Sequence, residues 1–199
     1  MRAIIVGHHS RVEWIGRLQD AIPGSAAIID SADEGAHACH RKALEVAQAV
    51  GERCIIIEDD AIPVQGFASL AAHWCDRFPD NLISFYLGTG RPVSWQQRVD
   101  VALETTMGDF IMLSRLIHGV CYSIPTHHID RVLSRLQQGD EGADYAIGRA
   151  WGRGVIYPVE SLVQHRDGES VERHPDGELR TERRVARHLA GPLMYEGDP

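Results

Sequence analysis

Residues Cys54 to Val64 read CIIIEDDAIPV, four apolar residues running directly into Glu58, Asp59 and Asp60 before apolar residues resume around Pro63. A short run that is apolar on both faces is the mark of a strand covered on both sides, as in a parallel sheet. Three adjacent carboxylates at its end repel one another, so a compensating partner has to sit there.

Working outward, RAIIVG is a second apolar strand, stopped by Gly7, and RVEWIGRLQDA carries Val12, Ile15 and Leu18 at helical spacing. AAIID is a further strand, and GAHACHRKALEVAQAVG is an Ala-rich helix that closes on Gly51, where a C-terminal cap is wanted. CIIIE is therefore the third strand of a strand–helix alternation. That alternation predicts an α/β fold, a single domain with a mostly parallel, Rossmann-like sheet flanked by helices. The carboxylate trio then lies at the carboxyl end of a strand, where open α/β sheets bind ligands.

Downstream the pattern predicts a helix over Phe67 to Arg77, a strand LISFYLG, a Gly/Pro-punctuated loop GTGRPVSW and an irregular region reaching Ile117. GVCYSIPTHHIDRVLSRLQ reads as a short strand and a helix, with Pro125 near its first turn. VIYPVESLVQH reads as a last strand interrupted by Pro158. Residues 1–165 form the expected domain, and 166–199 a charged tail with one helical candidate, RTERRVARHLA, expected to be ordered over the ligand site.

The totals fit one soluble domain. Of the 199 residues, 44% are hydrophobic and 24% charged, and the chain shows no repeat and no apolar run long enough to span a bilayer. Met1 leads straight into apolar residues with no secretory pattern, so a cytoplasmic location is expected. The four cysteines form no CxxC pair and read as buried thiols. A formal net charge of -8 argues against a broad non-specific grip on nucleic acid, leaving only a local basic contact open.

Three readings of the trio compete. Surface charge at a strand end needs no function. A general acid/base pair is disfavoured, because neighbours in sequence cannot flank a bond from opposite sides. Hard oxygen ligands for a divalent cation make direct sense, since Mg²⁺ or Mn²⁺ commonly joins protein carboxylates to substrate phosphates.

IIIEDDAIPV resembles the metal and nucleotide-sugar motif of GT-A glycosyltransferases, in particular the lipopolysaccharide-type glycosyltransferase family 25, whose Glu-Asp-Asp follows an apolar strand. GAHACHRKALEVA is similar to the family's preceding helix, with Cys39-His40 where Ser-His is usual. HGVCYSIPTHHIDRVL resembles a later segment, and DYAIGRAWGRGVIYPVESLVQH the closing one, which ends Ser-Leu-Val-x-His. The likeness runs from about Ala36 to His165; Arg91 to Leu116 aligns with nothing in the family.

The resemblance implies a metal-dependent hexosyltransferase that moves a sugar from a nucleotide-sugar donor to a hydroxyl acceptor, either a glycan or a hydroxylated base in modified viral DNA. Asp60 is the expected main metal ligand, and Glu58 joins it if strand alternation continues, leaving Asp59 to bond the ribose or a backbone amide. The resemblance adds His165 as a ligand, which tilts the ion towards Mn²⁺ over Mg²⁺. It makes Asp144 the candidate general base, with a helix cap as the alternative. His40 is a candidate donor or acceptor contact, with a structural histidine as the alternative.

From position alone, Arg11 after the first strand is a candidate phosphate or base contact. Arg183 and Arg187, four apart, could close one helix face over a diphosphate, or be solvated charge. His8, His9, His127 and His128 lack the HExxH spacing and receive no role. The competing classes are a nucleotidyl- or phosphotransferase, for which GHHSRVEW lacks a Gly-rich phosphate loop, and a non-catalytic nucleotide-sugar binding module.

Overall fold

The structure is a computed structural model that describes residues 1–137, 141–166, 171 and 183–195. Its elements in chain order are β1 (Arg2–His8), α1 (Val12–Ala21), β2 (Ala26–Asp30), α2 (Ala36–Val50), β3 (Cys54–Glu58), β4 (Ala61–Pro63), α3 (Phe67–Arg77) and β5 (Leu82–Ser84). Then come α4 (Val93–Thr105), β6 (Phe110–Leu113), β7 (Cys121–Ser123), α5 (Thr126–Arg135), α6 (Ala143–Trp151), β8 (Val155–Pro158) and β9 (Val163–His165). None of the helices in the described residues is long and apolar enough to cross a membrane.

Seven strands form one mixed sheet in the order β2-β1-β3-β7-β5-β8-β6. β1 pairs in parallel with β2 and β3, and β5 with β8, whereas β7 runs against both β3 and β5, and β6 against β8. The expected α/β sheet is present, with β6 and β7 reversed within it.

The apolar runs are explained by cover on both faces. Successive residues of a strand point to opposite sides, and those of β1 and β3 divide accordingly. Ile4, Val6 and Ile56 pack with α2, α4, α5 and α6 in one core, while Ile5, Ile55 and Ile57 pack with α1 and α3 in the other. Each fully buried isoleucine contributes about 1.5–3 kcal/mol relative to exposure, so this double burial fixes β3 and, with it, the point where its carboxylates emerge. All four cysteines are buried free thiols, as expected.

Four expectations need correction. The region before Ile117 is not irregular: it holds α4 and β6. In α4 only Trp95 and Val99 are buried, so its apolar stripe is too sparse to announce a helix. LISFYLG is a strand only to Ser84, after which Phe85 to Leu87 stay buried and bond to other segments through Phe85 N to Cys121 O and Leu87 N to Ser161 Oγ. VIYPVESLVQH is two strands in two sheets, β8 in the main sheet and β9 pairing antiparallel with β4, because the chain turns after Pro158.

The helical candidate RTERRVARHLA begins outside the described residues, and its described part, 183–190, is not helical. That part runs over the domain as irregular chain, with isolated bridges at Ala186 and Leu189. Thr89 N bonds Val185 O, Arg187 N bonds Leu87 O, and Ser161 N bonds His188 O. Backbone bonds to loop edges satisfy groups that a helix would have paired internally. The tail is thus anchored in part beside the strand ends.

Candidate functional site

A cleft of about 1320 Å³ opens at the carboxyl ends of β1 and β3, the entry to β7 and the start of α6. Glu58, Asp59, Asp60, Arg11, His40, Asp144 and His165 all line it. The fold therefore gathers every one of the expected site residues except the two tail arginines.

The trio divides into three environments. β3 ends at Glu58, and Asp59 and Asp60 occupy the turn into β4, so strand alternation does not carry Asp60 onto the side of Glu58. Glu58 Oε1 lies 3.2 Å from His40 Nε2, and His40 Nδ1 lies 3.0 Å from the Tyr122 hydroxyl. Asp59 accepts the His8 backbone N–H at 2.8 Å and Arg11 Nη1 at 2.9 Å. Asp60 Oδ2 accepts the same Arg11 Nη1 at 3.1 Å and stands 3.6 Å from His165 Nε2.

Arg11 is the compensating partner for two of the three charges. Burial alone would push its guanidinium down, but Asp60 and Asp59 outweigh that and hold it above its ordinary value. Burial and the charge of Asp60 push Asp59 up to about 6, against the His8 N–H and Arg11. Burial works the same way on Asp60, yet His165, Arg11 and Arg184 together hold it below the ordinary carboxylate value. Asp60 is thus the carboxylate kept ionised, and Asp59 the one bonded to a backbone amide, as expected of it.

Among the buried polar atoms of the cleft with no hydrogen-bond partner are Asp60 Oδ1, His165 Nδ1 and His118 Nδ1, the first two on this wall. Orphaned buried polar atoms cost about 1–3 kcal/mol each, so their persistence points to a ligand. A carboxylate and an imidazole whose nearest atoms, Asp60 Oδ2 and His165 Nε2, lie 3.6 Å apart are donors that a divalent cation accepts, and Asp60 and His165 therefore fit one. Glu58 does not complete that set. Among the described residues, the one group of three His, Cys, Asp or Glu ligand atoms lying within 4.8 Å of one another is His8, His9 and Asp33.

Across the cleft, Asp144 stands in the first turn of α6, and its Oδ1 accepts the Tyr145 N–H at 2.8 Å. The cap alternative does not hold, because Gly142 occupies the N-cap and Asp144 is the second residue of the helix, bonding only the next amide; its carboxylate lines the cleft. Burial, then the charge of Glu58, push it up to about 6. Gly119 makes that approach of carboxylates possible. A Cβ there would lie 2.8 Å from Glu58 Oε1 and 3.3 Å from Asp144 Cβ. Gly119→Ala is expected to displace Glu58 from His40 and to lower turnover about tenfold or more, since misplacement by about 1 Å costs up to about 10²-fold. The thermal midpoint should move little because the Glu58 side chain can swing aside; unchanged turnover would show that this spacing does not matter.

The tail supplies a different arginine from the two expected. Arg187 bonds Asp100 and Gln96, both at 2.6 Å, and Arg183 is exposed; neither lines the cleft. Arg184 does, and its charge reaches Asp60 and His118. Residues four apart share a face only on a helix, and the described tail is not one, so Arg183 and Arg187 have no common face to present. His118, in LIHGV, belongs to no motif of the sequence. It lines the cleft, donates from Nε2 to Arg91 O at 3.0 Å, and is pushed down to about 4 by burial, so it is neutral near pH 7.

No family model matches the chain, and no curated protein does. Solved structures do match, among them A197 from STIV, which aligns over 100% of both chains at 11% identity with a TM-score of 0.49. A likeness at that level identifies neither a fold family nor an activity.

Proposed function

We propose that this chain is a GT-A-type glycosyltransferase that moves a sugar from a nucleotide-sugar donor to a hydroxyl acceptor, with a divalent cation held by Asp60 and His165. The observation that carries the reading is the pair of orphaned buried atoms, Asp60 Oδ1 and His165 Nδ1, on the wall that Arg184 also reaches. Mn²⁺ is favoured over Mg²⁺ because one ligand is an imidazole. When bound, the cation supplies positive charge to the diphosphate as the sugar–phosphate bond breaks.

The remaining steps belong to the protein. Arg184 meets the diphosphate from the tail side, and Arg11 holds Asp59 and Asp60 in place while the donor is absent. Asp144 takes the proton of the attacking hydroxyl in an inverting displacement, a role for which a carboxyl near 6 is better suited than an ordinary one. His40, fixed by Tyr122, positions Glu58, whose charge adds to burial in keeping the Asp144 carboxyl basic.

The test is calorimetric titration with several nucleoside diphosphates, with and without Mn²⁺, followed by a hydrolysis assay on the matching nucleotide sugar. Mn²⁺-dependent binding of one diphosphate and slow release of free sugar are expected. Release of nucleoside monophosphate in place of sugar would mark a nucleotidyltransferase, and binding with no turnover a binding module.

A further inference from the structure

We propose that His8, His9 and Asp33 form a binding site for a transition-metal ion of the Zn²⁺ or Co²⁺ class, at the rim of the cleft and separate from Asp60 and His165. It does not rest on the sugar-transfer reading. One ligand atom from each of the three side chains lies within 4.8 Å of the others. The two imidazoles stand with ring centroids 4.0 Å apart, and His8 Nε2 is 2.9 Å from Asp33 Oδ1. Two imidazoles with one carboxylate select zinc-like ions over Mg²⁺ or Ca²⁺, and leave a position for water or a ligand oxygen.

What separates this group from a chance surface cluster is that each member is oriented from behind. Histidines that bind metals donate their other ring N–H to a carbonyl, a carboxylate or water. His9 Nδ1 is 3.0 Å from the Asp30 carbonyl oxygen, which can only accept, so the proton sits on Nδ1 and Nε2 presents its lone pair. His8 Nδ1 is 2.8 Å from Ser10 Oγ. Without an ion, Ser10 N–H donates to that nitrogen at 3.2 Å and Nε2–H donates to Asp33. With an ion on Nε2, the ring proton moves to Nδ1 and is donated to Ser10 Oγ, so the imidazole stays neutral.

The third ligand is fixed through its loop. The buried Asp30 carboxylate accepts the backbone N–H groups of Ala32, Glu34 and Gly35 at 3.3, 2.9 and 2.8 Å. Asp33, inside that loop, takes a left-handed φ of 55°, which aspartate tolerates better than most residues. A second pair, His127 and His128, shows what is missing elsewhere. Its rings are 4.2 Å apart and His127 lies 3.2 Å from Asp80, but Arg153 Nη1 lies 3.2 Å from His128 Nε2, placing a cation where the ion would go.

The experiment is a Zn²⁺ titration of ¹⁵N-labelled protein, read from the imidazole resonances. Those of His8 and His9 should shift together and saturate at one equivalent. His9→Gln and Asp33→Asn, both at exposed positions that leave the core intact, should abolish the saturable shift. Ser10→Ala, which touches no ion itself, should weaken binding by about 10- to 100-fold. His127→Gln should change nothing. Equal shifts at His127 and His128, or a response that Asp33→Asn and Ser10→Ala leave unaltered, would show ordinary surface-histidine binding and overturn the site.

Discussion

Asp60→Ala is expected to abolish Mn²⁺-dependent binding of a nucleoside diphosphate while leaving the protein folded. Asp60 supplies one of the two side chains that fit the cation, and its Oδ1 is buried without a partner. Truncating one partner of a buried charge pair costs about 2–5 kcal/mol, and here the loss falls on the complex. In the free protein Arg11 keeps Asp59 at 2.9 Å when it loses Asp60, and the lost pairing of Asp60 with Arg11 and His165 is offset in part because the charge that adds to burial in raising the Asp59 carboxyl is gone. The thermal midpoint of Asp60→Ala should therefore fall only modestly below that of the parent.

Asp59→Ala should behave the opposite way. It strips the acceptor from the His8 N–H and one of two from Arg11, which keeps Asp60 at 3.1 Å, and an unsatisfied buried donor costs about 1–3 kcal/mol of stability. Calorimetric titration and thermal unfolding of the two variants, side by side, check both halves. Equal metal-independent binding by parent and Asp60→Ala would remove the cation from the proposal, whatever the Asp59 variant does. The three carboxylates after β3 thus carry separate loads: Glu58 is held by His40, Asp59 ties β1 to β3, and Asp60 faces the ligand.

How much of this was legible in the chain depends on how local each signal is. β1, α1, β2, α2, β3 and α3 follow from periodicity, because each carries its apolar pattern within one segment. α4 escapes because two buried residues in thirteen make no stripe. The β4–β9 pair and the bridges of the tail to Val64 and Gly88 are contacts across about a hundred residues or more, and no window of sequence contains both partners. The site follows the same rule. Asp60 announces itself as charge at the end of an apolar strand, whereas Arg184 and His118 matter only because the tail and the segment before β7 return to that strand end.

Asp144→Asn should lower turnover by about 10²–10⁴-fold, the usual worth of a positioned general base, without weakening donor binding. Asparagine keeps the Oδ1 that accepts the Tyr145 N–H, so α6 retains its first turn. The pH dependence sharpens the test. Burial and Glu58 raise the Asp144 carboxyl to about 6, so the base is ionised above that pH and the parent should lose activity as pH falls through it. Stability moves the other way. A carboxyl whose folded value is raised makes its full contribution at low pH, and that contribution is lost as pH rises from about 4 to about 6. Asparagine, always neutral, escapes the loss, so the variant's thermal midpoint relative to the parent should climb across that window and level off above it. An acid limb that survives unchanged in Asp144→Asn would assign it instead to Asp59, whose carboxyl also lies at about 6, and would take Asp144 out of the chemistry.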